Sequence, residues 1–144
     1  MAKSFQIESH IIDTGIIYAL ADRKDDWHSE AVGFLSNFSG RLIVPSTVVP
    51  EACYLLNTYL GREAELGFVL ALVNREMVIE HSTSQDLART SELLKKYSDV
   101  NIGFVDASVV TIAERLKISS ILTTDRRHFA AIKPQHCKGF LLLP

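Results

Sequence analysis

Two aspartates of this chain each follow a short apolar run that is typical of a buried strand. Asp13 follows Ile11 and Ile12, and Asp125 follows the segment ISSILTT at 118–124. The β-branched isoleucines favour a strand, and Thr-Gly after Asp13 breaks the run before helix-length hydrophobicity resumes. Because ligands bind outside the carboxyl ends of parallel strands, we expect both carboxylates at one edge of a sheet.

Two further acids, Glu51 and Asp106, interrupt apolar stretches of predicted helices. Glu51 lies in VVPEACYLL at 48–56, and Asp106 lies in FVDASVV at 104–110. A bare carboxylate in such surroundings costs free energy unless it is paired or bound to a metal. The nearby basic residues Arg62 and Arg115 do not stand three or four positions from either acid, which excludes a salt bridge within the helix.

Four carboxylates gathered at one sheet edge would repel each other. Like charges about 5 Å apart repel by roughly 3 kcal/mol per pair at an effective dielectric constant of about 20, and several such pairs rival the stability of a whole domain. Protons kept on some of the acids, or a shared divalent cation, relieve this repulsion. Oxygen ligands favour Mg²⁺ or Mn²⁺ over zinc. Such a cation supports in-line attack of water on a phosphodiester.

The acids must be positioned by elements that alternate along the chain. Periodicity and turn residues predict a largely parallel sheet with helices on both faces. The predicted strands lie at 11–12, 41–44, 77–79, 121–123 and 140–143, and the predicted helices lie at 16–20, 27–38, 48–60, 63–74, 83–97, 104–117 and 126–132.

Capping residues predict where two of the helices begin. Ser46 or Thr47 can cap the helix that carries Glu51, in which Pro50 is tolerated only near the first turn. Ser82 with Gln85 forms a plausible capping box for a polar helix further on. We expect this polar helix to bury one apolar edge, made of Leu87, Leu93 and Leu94.

Length, charge and composition indicate a single domain, 1–144, without a linker or repeat. A net charge of −2 excludes general attraction to a polyanion, so any nucleic-acid binding must be local or helped by a metal. Cys53 and Cys137 have no zinc-ligand spacing. No apolar run reaches the roughly 20 residues that span a bilayer, and residues 1–6 carry no secretory signal. We therefore expect a cytoplasmic protein with no membrane segment.

These motifs, taken in order, resemble those of PIN-domain ribonucleases, and more narrowly of the VapC toxins of toxin–antitoxin pairs. The resemblance covers nearly the whole chain. It is carried by Asp13-Thr14-Gly15, by Pro50-Glu51, by Asp106-Ala107-Ser108, and by Thr123-Thr124-Asp125-Arg126-Arg127-His128-Phe129.

The resemblance implies a three-layer α/β/α PIN-like domain with a central, mainly parallel sheet. It also implies metal-dependent endoribonuclease activity with Mg²⁺ or Mn²⁺, a homodimer, and neutralisation by a small antitoxin protein. The acid positions of the family correspond to Asp13, Glu51, Asp106 and Asp125, and its sheet-edge hydroxyl corresponds to Thr123 or Thr124. The sequence departs from the family pattern at Pro50, which stands directly before Glu51 and could shift that helix start.

Residues beside the acids have two interpretations each. Arg126, Arg127 and His128 could hold RNA phosphates next to the metal, or could be ordinary surface charge. Asp99 could belong to the site, but we favour a role at the end of the preceding helix. The four acids could themselves be helix-end or turn residues.

Two other functions remain possible at this point. A catalytically silent PIN-like module could bind RNA or protein through the same groove, although the complete acid set argues against it. A DNA flap nuclease or exonuclease of related fold is disfavoured by the short chain and by the lack of a basic helical insertion.

Overall fold

The computed structural model describes residues 7–144, so the stretch 1–6, for which we expect no secretory signal, lies outside the described residues. Within 7–144, strands and helices alternate as predicted. The elements are β1 (Ser9–Ile12), α1 (Thr14–Ala21), α2 (His28–Ser36), β2 (Arg41–Pro45), α3 (Val48–Leu60), α4 (Arg62–Val73), β3 (Val78–Glu80), α5 (Ser84–Lys96), α6 (Phe104–Leu116), β4 (Ser120–Leu122), α7 (Arg126–Ala131) and β5 (Leu141–Leu143).

The strands of the described residues form one sheet in the order β3-β2-β1-β4-β5, with every neighbouring pair parallel. Helix α1 packs against α2 and α3, α3 packs against α4, and α5 packs against α6, so the helices form two separate groups. This arrangement confirms the predicted three-layer α/β/α sandwich, and the sheet is parallel throughout.

The two central strands are buried on both faces. Ile11 pairs with Ile121, and Ile12 pairs with Leu122. All four side chains are at most 1% exposed, as expected for strands covered by helices on both sides. The backbone N–H of Asp13 donates to the Leu122 carbonyl at 2.9 Å, so the first residue after β1 is held beside the end of β4. This register brings the acid after β1 close to the residues that follow β4.

Of the two capping predictions, the one for α5 is wrong and the one for α3 is correct only in position. The box on α5 is formed one residue later than predicted, because the Thr83 hydroxyl accepts from the Asp86 N–H at 3.0 Å and the Asp86 carboxylate accepts from the Thr83 N–H at 2.9 Å. At the start of α3, Thr47 occupies the cap position without a capping hydrogen bond from its side chain. Pro50 is the third residue of that helix, which agrees with the expected place in its first turn.

The predicted buried edge of α5 is only partly correct. Leu93 is fully buried, but Leu87 is 50% exposed, and the other buried side chains of the helix are those of Asp86 and Thr90. Asp86 accepts from the Arg115 guanidinium of α6 at 2.9 Å. Because this ion pair lies between the two helices, a polar face of α5 turns inward and Leu87 turns outward.

Helix α4 presents an apolar face to the surface. Leu66, Val69, Leu70 and Val73 share this face and are 39–68% exposed. Phe68 is the buried side chain of the helix. Across residues 7–144, no helix combines the length and the apolarity needed to cross a membrane.

Candidate metal centre

Asp13 is the most buried of the candidate acids. It stands between β1 and α1, is 6% exposed, and accepts a hydrogen bond from the Thr123 hydroxyl at 3.1 Å. Burial raises the pKa of this carboxyl to about 7, the N–H of Thr14 opposes the rise, and the charge of Asp106 adds to it. Asp13 is therefore a buried acid that pays a large desolvation penalty when it ionises.

Thr123 links Asp13 to the segment after β4. Its side chain is fully buried, and its hydroxyl donates to Asp13 while accepting from the backbone N–H of Asp125 at 2.9 Å. A hydroxyl has one proton and two lone pairs, so both bonds can be made at once. Of the two predicted hydroxyls, Thr123 is the one that contacts the acids.

Thr124 has a different neighbour, Gly15 in the first turn of α1. A Cβ atom on Gly15 would lie far inside van der Waals contact with the Thr124 hydroxyl oxygen and 3.3 Å from Thr124 Cβ. Only a glycine lets α1 approach the segment after β4 this closely. The Asp-Thr-Gly motif therefore joins an acid to the small residue that allows the close approach.

Asp106 and Asp125 lie at the beginnings of two other helices. Asp106 in the first turn of α6 accepts from the backbone N–H of Gly103 at 3.3 Å. Asp125 caps α7 and accepts from the backbone N–H of His128 at 3.2 Å. Burial raises the pKa of Asp106, and the negative charge of Asp125 raises it further. The charge of one acid thus acts directly on an acid from a separate element.

His128 lies between these two carboxylates. Its Nδ1 atom is 2.7 Å from Asp125 Oδ2 and 3.8 Å from Asp106 Oδ2. Each of the three residues offers a ligand atom, and these atoms all lie within 4.8 Å of one another. All three side chains are 22–35% exposed. This trio could be reached by a cation from solvent.

Glu51 lies near the same place but is less confined. It is exposed in the first turns of α3, and its charge raises the pKa of both Asp13 and Asp106. The helix that carries it is tied to α6 by a hydrogen bond of 2.6 Å between the hydroxyls of Thr47 and Ser108. Ser108 is fully buried, so this bond joins the two acid-bearing helices from inside the fold.

The remaining candidates lie around the acids or apart from them. Arg126 places its guanidinium carbon 5.1 Å from the centre of the Trp27 ring and donates to the Pro144 carbonyl. Arg127 is exposed on α7. Asp99 is exposed in the turn between α5 and α6, and it is not among the charges that shift the pKa of Asp13 or Asp106.

Three features of this site were not predicted from the sequence: the contact of His128 with both carboxylates, the Thr47–Ser108 bond, and the approach of Gly15 to Thr124. The spacing of three between Asp125 and His128 was a usable signal, because such residues are neighbours on a helical turn. The other two features join residues far apart in the chain and have no local signal.

The arrangement suits a divalent cation with oxygen ligands. Within residues 7–144, Asp13 forms no salt bridge, and Asp106 and Asp125 have His128 but no Lys or Arg as a partner at ion-pair distance. Buried or partly buried carboxylates without a basic partner are costly, and a hard cation among them would remove this cost. The residues present therefore fit a divalent metal ion.

Comparison with known proteins agrees with this geometry. The PIN domain family matches residues 10–133 of the chain. The chain therefore belongs to the PIN domain family.

A curated relative narrows this class. Ribonuclease VapC26 of Mycobacterium tuberculosis is 31% identical over 134 residues, which cover 93% of this chain and 99% of the relative. The chain is thus similar to a VapC protein over almost its full length, as its motifs predict.

Solved structures share the fold. The crystal structure of Mycobacterium tuberculosis VapC20, described as a toxin that cleaves the sarcin–ricin loop, superposes with a TM-score of 0.79 at 21% identity and covers 89% of this chain and 98% of its own. A VapBC2 structure from Rickettsia felis, bound to a promoter DNA fragment, has a TM-score of 0.65 at 16% identity and covers 93% and 96%.

Proposed function

We propose that this protein is an endoribonuclease that hydrolyses RNA phosphodiester bonds with the help of Mg²⁺ or Mn²⁺. The observation that supports this most is that Asp106 and Asp125 offer ligand atoms within 4.8 Å of each other and of His128, while the charge of Asp106 acts on the buried Asp13. None of the three acids has a Lys or Arg as a salt-bridge partner in the described residues. The full-length similarity to a protein named Ribonuclease VapC26 points to the same activity.

The acids have distinct roles in this proposal. Asp13, Asp106 and Asp125 would hold the cation, with Glu51 close by. A bound divalent cation polarises a phosphoryl oxygen and lowers the pKa of water. Thr123 fixes the orientation of Asp13 by donating to one of its two oxygens, so that the other oxygen faces away from that bond. Thr124 lies against Gly15 of α1, directly before Asp125 in the chain.

Basic residues at the start of α7 would hold the RNA. Arg126 lies over the Trp27 ring, which already restricts its side chain, so it loses less conformational entropy when it binds a phosphate. Arg127 is exposed one residue further on and is available for a second phosphate. Both stand directly after Asp125, which would keep the sugar–phosphate backbone beside the acids.

The protein would act as the toxin of a toxin–antitoxin pair in the cytoplasm, as a single domain that forms a homodimer and is neutralised by a small antitoxin. The apolar face of α4, formed by Leu66, Val69, Leu70 and Val73, supports a protein partner, because contiguous exposed apolar surface marks interaction sites. Light scattering after size exclusion would show whether the chain alone is a dimer.

The test of the nuclease proposal compares single acid variants on RNA. The wild-type protein, Asp13→Asn and Asp106→Asn are incubated with tRNAs and a sarcin–ricin-type stem–loop in Mg²⁺ or Mn²⁺, with matched DNA strands alongside, and the ends are sequenced. We expect the wild type to cut RNA and both variants to lose at least about 100-fold in rate, because replacing a residue that only supports a metal ligand already costs about 10–100-fold. The exposed Asp99→Asn variant is the matched control.

The proposal would be wrong if both acid variants cleaved at the wild-type rate. Equal cleavage of the DNA strands would favour a DNA nuclease instead. A protein that cuts neither strand and takes up no Mn²⁺ in calorimetry would be a silent binding module.

A further inference from the structure

We propose that His128 is a metal ligand in its own right, through Nδ1, and that the centre is a mixed nitrogen–oxygen site that prefers Mn²⁺ and other first-row transition dications to Mg²⁺. This inference rests on the proposed metal-dependent function and names the cation of that site. It differs from the interpretation of His128 as an RNA-binding residue.

The geometry of the trio supports this role. The His128 Nδ1 atom is 2.7 Å from Asp125 Oδ2 and 3.8 Å from Asp106 Oδ2. Ligands of one cation with bonds of about 2.0–2.2 Å lie about 3 Å apart when adjacent and somewhat over 4 Å apart when opposite. Both distances therefore lie within a few tenths of an ångström of the range that a shared cation requires.

The backbone keeps His128 at this place. The His128 N–H donates to Asp125 Oδ1 at 3.2 Å, while the imidazole reaches Oδ2 of the same carboxylate. Both oxygens of Asp125 thus hold His128 close, and the ring is about 30% exposed, which leaves it open to a cation. Without a cation, the 2.7 Å contact is a hydrogen bond in which the Nδ1–H of His128 donates to Asp125. A cation between Asp106 and Asp125 would take the place of that proton, so that the neutral ring keeps its proton on Nε2 and offers the Nδ1 lone pair to the metal.

An imidazole ligand changes which metal is preferred. Carboxylate and water ligands suit Mg²⁺, whereas imidazole nitrogen suits transition metals. A site built from Asp106, Asp125 and His128 should therefore discriminate against Mg²⁺, which a set of carboxylates alone would do less strongly. The alternative is that His128 only orients Asp125 by hydrogen bonding. That role would affect all cations alike.

The experiment uses the full chain, freed of metal by chelation, and Mn²⁺ or Mg²⁺ alone as probes. Electron spin-echo modulation of the Mn²⁺ complex detects a directly bound ¹⁴N nucleus, and calorimetry gives both dissociation constants. His128→Asn keeps a side chain that can hydrogen-bond to Asp125. The exposed His81→Asn variant is the matched control, and far-ultraviolet circular dichroism checks the fold of each variant.

We expect ¹⁴N modulation in the wild type and in His81→Asn but not in His128→Asn. The Mn²⁺ dissociation constant should rise by about tenfold or more in His128→Asn, while that of Mg²⁺ should change by less than about threefold.

Mn²⁺ binding to the wild type without ¹⁴N modulation would overturn the proposal and leave the nuclease function intact. Modulation that persists in His128→Asn, or an equal loss for both cations, would overturn it too. A failure of the wild type to bind either cation would contradict the metal-dependent function itself.

Discussion

Replacing Asp13 by Asn should stabilise the metal-free protein at alkaline pH. Burial raises the pKa of Asp13 from 3.8 to about 7, so the folded protein holds this proton more tightly than the unfolded chain. The stability contributed by this group is fully present below pH 3.8 and is lost as the pH rises through about 7. At about 1.4 kcal/mol per pKa unit, the difference between pKa values of 3.8 and about 7 corresponds to a loss of at most about 4 kcal/mol in the free energy of unfolding.

The Asn variant escapes this loss. Asn is a good residue at a helix cap and can still accept the hydrogen bond from Thr123, but it carries no charge. The free energy of unfolding of the variant relative to that of the wild type should therefore rise by about 2–3 kcal/mol between pH 5 and pH 8. Most of the stability that the wild type loses with its Asp13 proton is still present at pH 5 and is gone at pH 8. Asp99→Asn removes one exposed charge and should show no such growth.

Urea unfolding in the presence of EDTA, at pH 5, 6, 7 and 8, measures this difference. The free energy of unfolding is compared between wild type and variant at each pH, at a fixed slope against urea. A difference that stays constant with pH, or a variant less stable than the wild type at pH 8, would refute the assignment of Asp13 as a buried acid with a raised pKa.

A divalent cation should reverse the order of stability of the wild type and Asp13→Asn. Binding to the folded state stabilises it by about 2.7 kcal/mol at a hundredfold excess over the dissociation constant. Because the wild type offers the cation one more carboxylate, saturating Mn²⁺ at pH 8 should stabilise the wild type more than Asp13→Asn. Equal stabilisation of the two proteins would mean that Asp13 does not hold the cation.

Two further predictions concern packing. Gly15→Ala should destabilise the protein by about 1–2 kcal/mol, because overpacking against Thr124 exceeds the gain in helix propensity. Gly33 has open space around it, so Gly33→Ala should be neutral or stabilising in thermal unfolding. Equal melting temperatures of the two variants would contradict this prediction. Thr47→Val should lower the free energy of unfolding by about 1 kcal/mol and weaken Mn²⁺ binding in calorimetry, because it breaks the hydrogen bond to Ser108. Thr47→Ser keeps the hydroxyl and should restore both the stability and the Mn²⁺ affinity. Unchanged Mn²⁺ affinity in Thr47→Val would mean that the bond is purely structural.

The strands and their acids could be predicted because both depend on local pattern. Ile11 and Ile12 before Asp13 define a buried strand and its exit, and the matching run before Asp125 defines the neighbouring strand. The parallel arrangement follows from the alternation of strands and helices. Short segments of sequence are therefore enough to predict that Asp13 and Asp125 lie at one edge of the sheet.

The α5 cap could not be predicted, because it depends on a residue far along the chain. Ser82 with Gln85 and Thr83 with Asp86 are equally good capping pairs by local pattern. The second pair forms in the structure, and Asp86 also accepts from Arg115, 29 positions later. A contact between two helices thus decides a choice that the local pattern leaves open.

An acid that caps a helix can also be a metal ligand, so these two interpretations of Asp106 and Asp125 do not exclude each other. Asp106 and Asp125 each accept a backbone N–H at a helix start, and a carboxylate has about four lone-pair positions, so a cap uses only part of its capacity. At Asp106 the N–H bond from Gly103 opposes the rise in pKa that burial and the charge of Asp125 cause. A cap bond and a bound cation are therefore compatible at the same carboxylate. Sequence patterns that identify caps cannot distinguish such acids from ordinary ones, and only their convergence does.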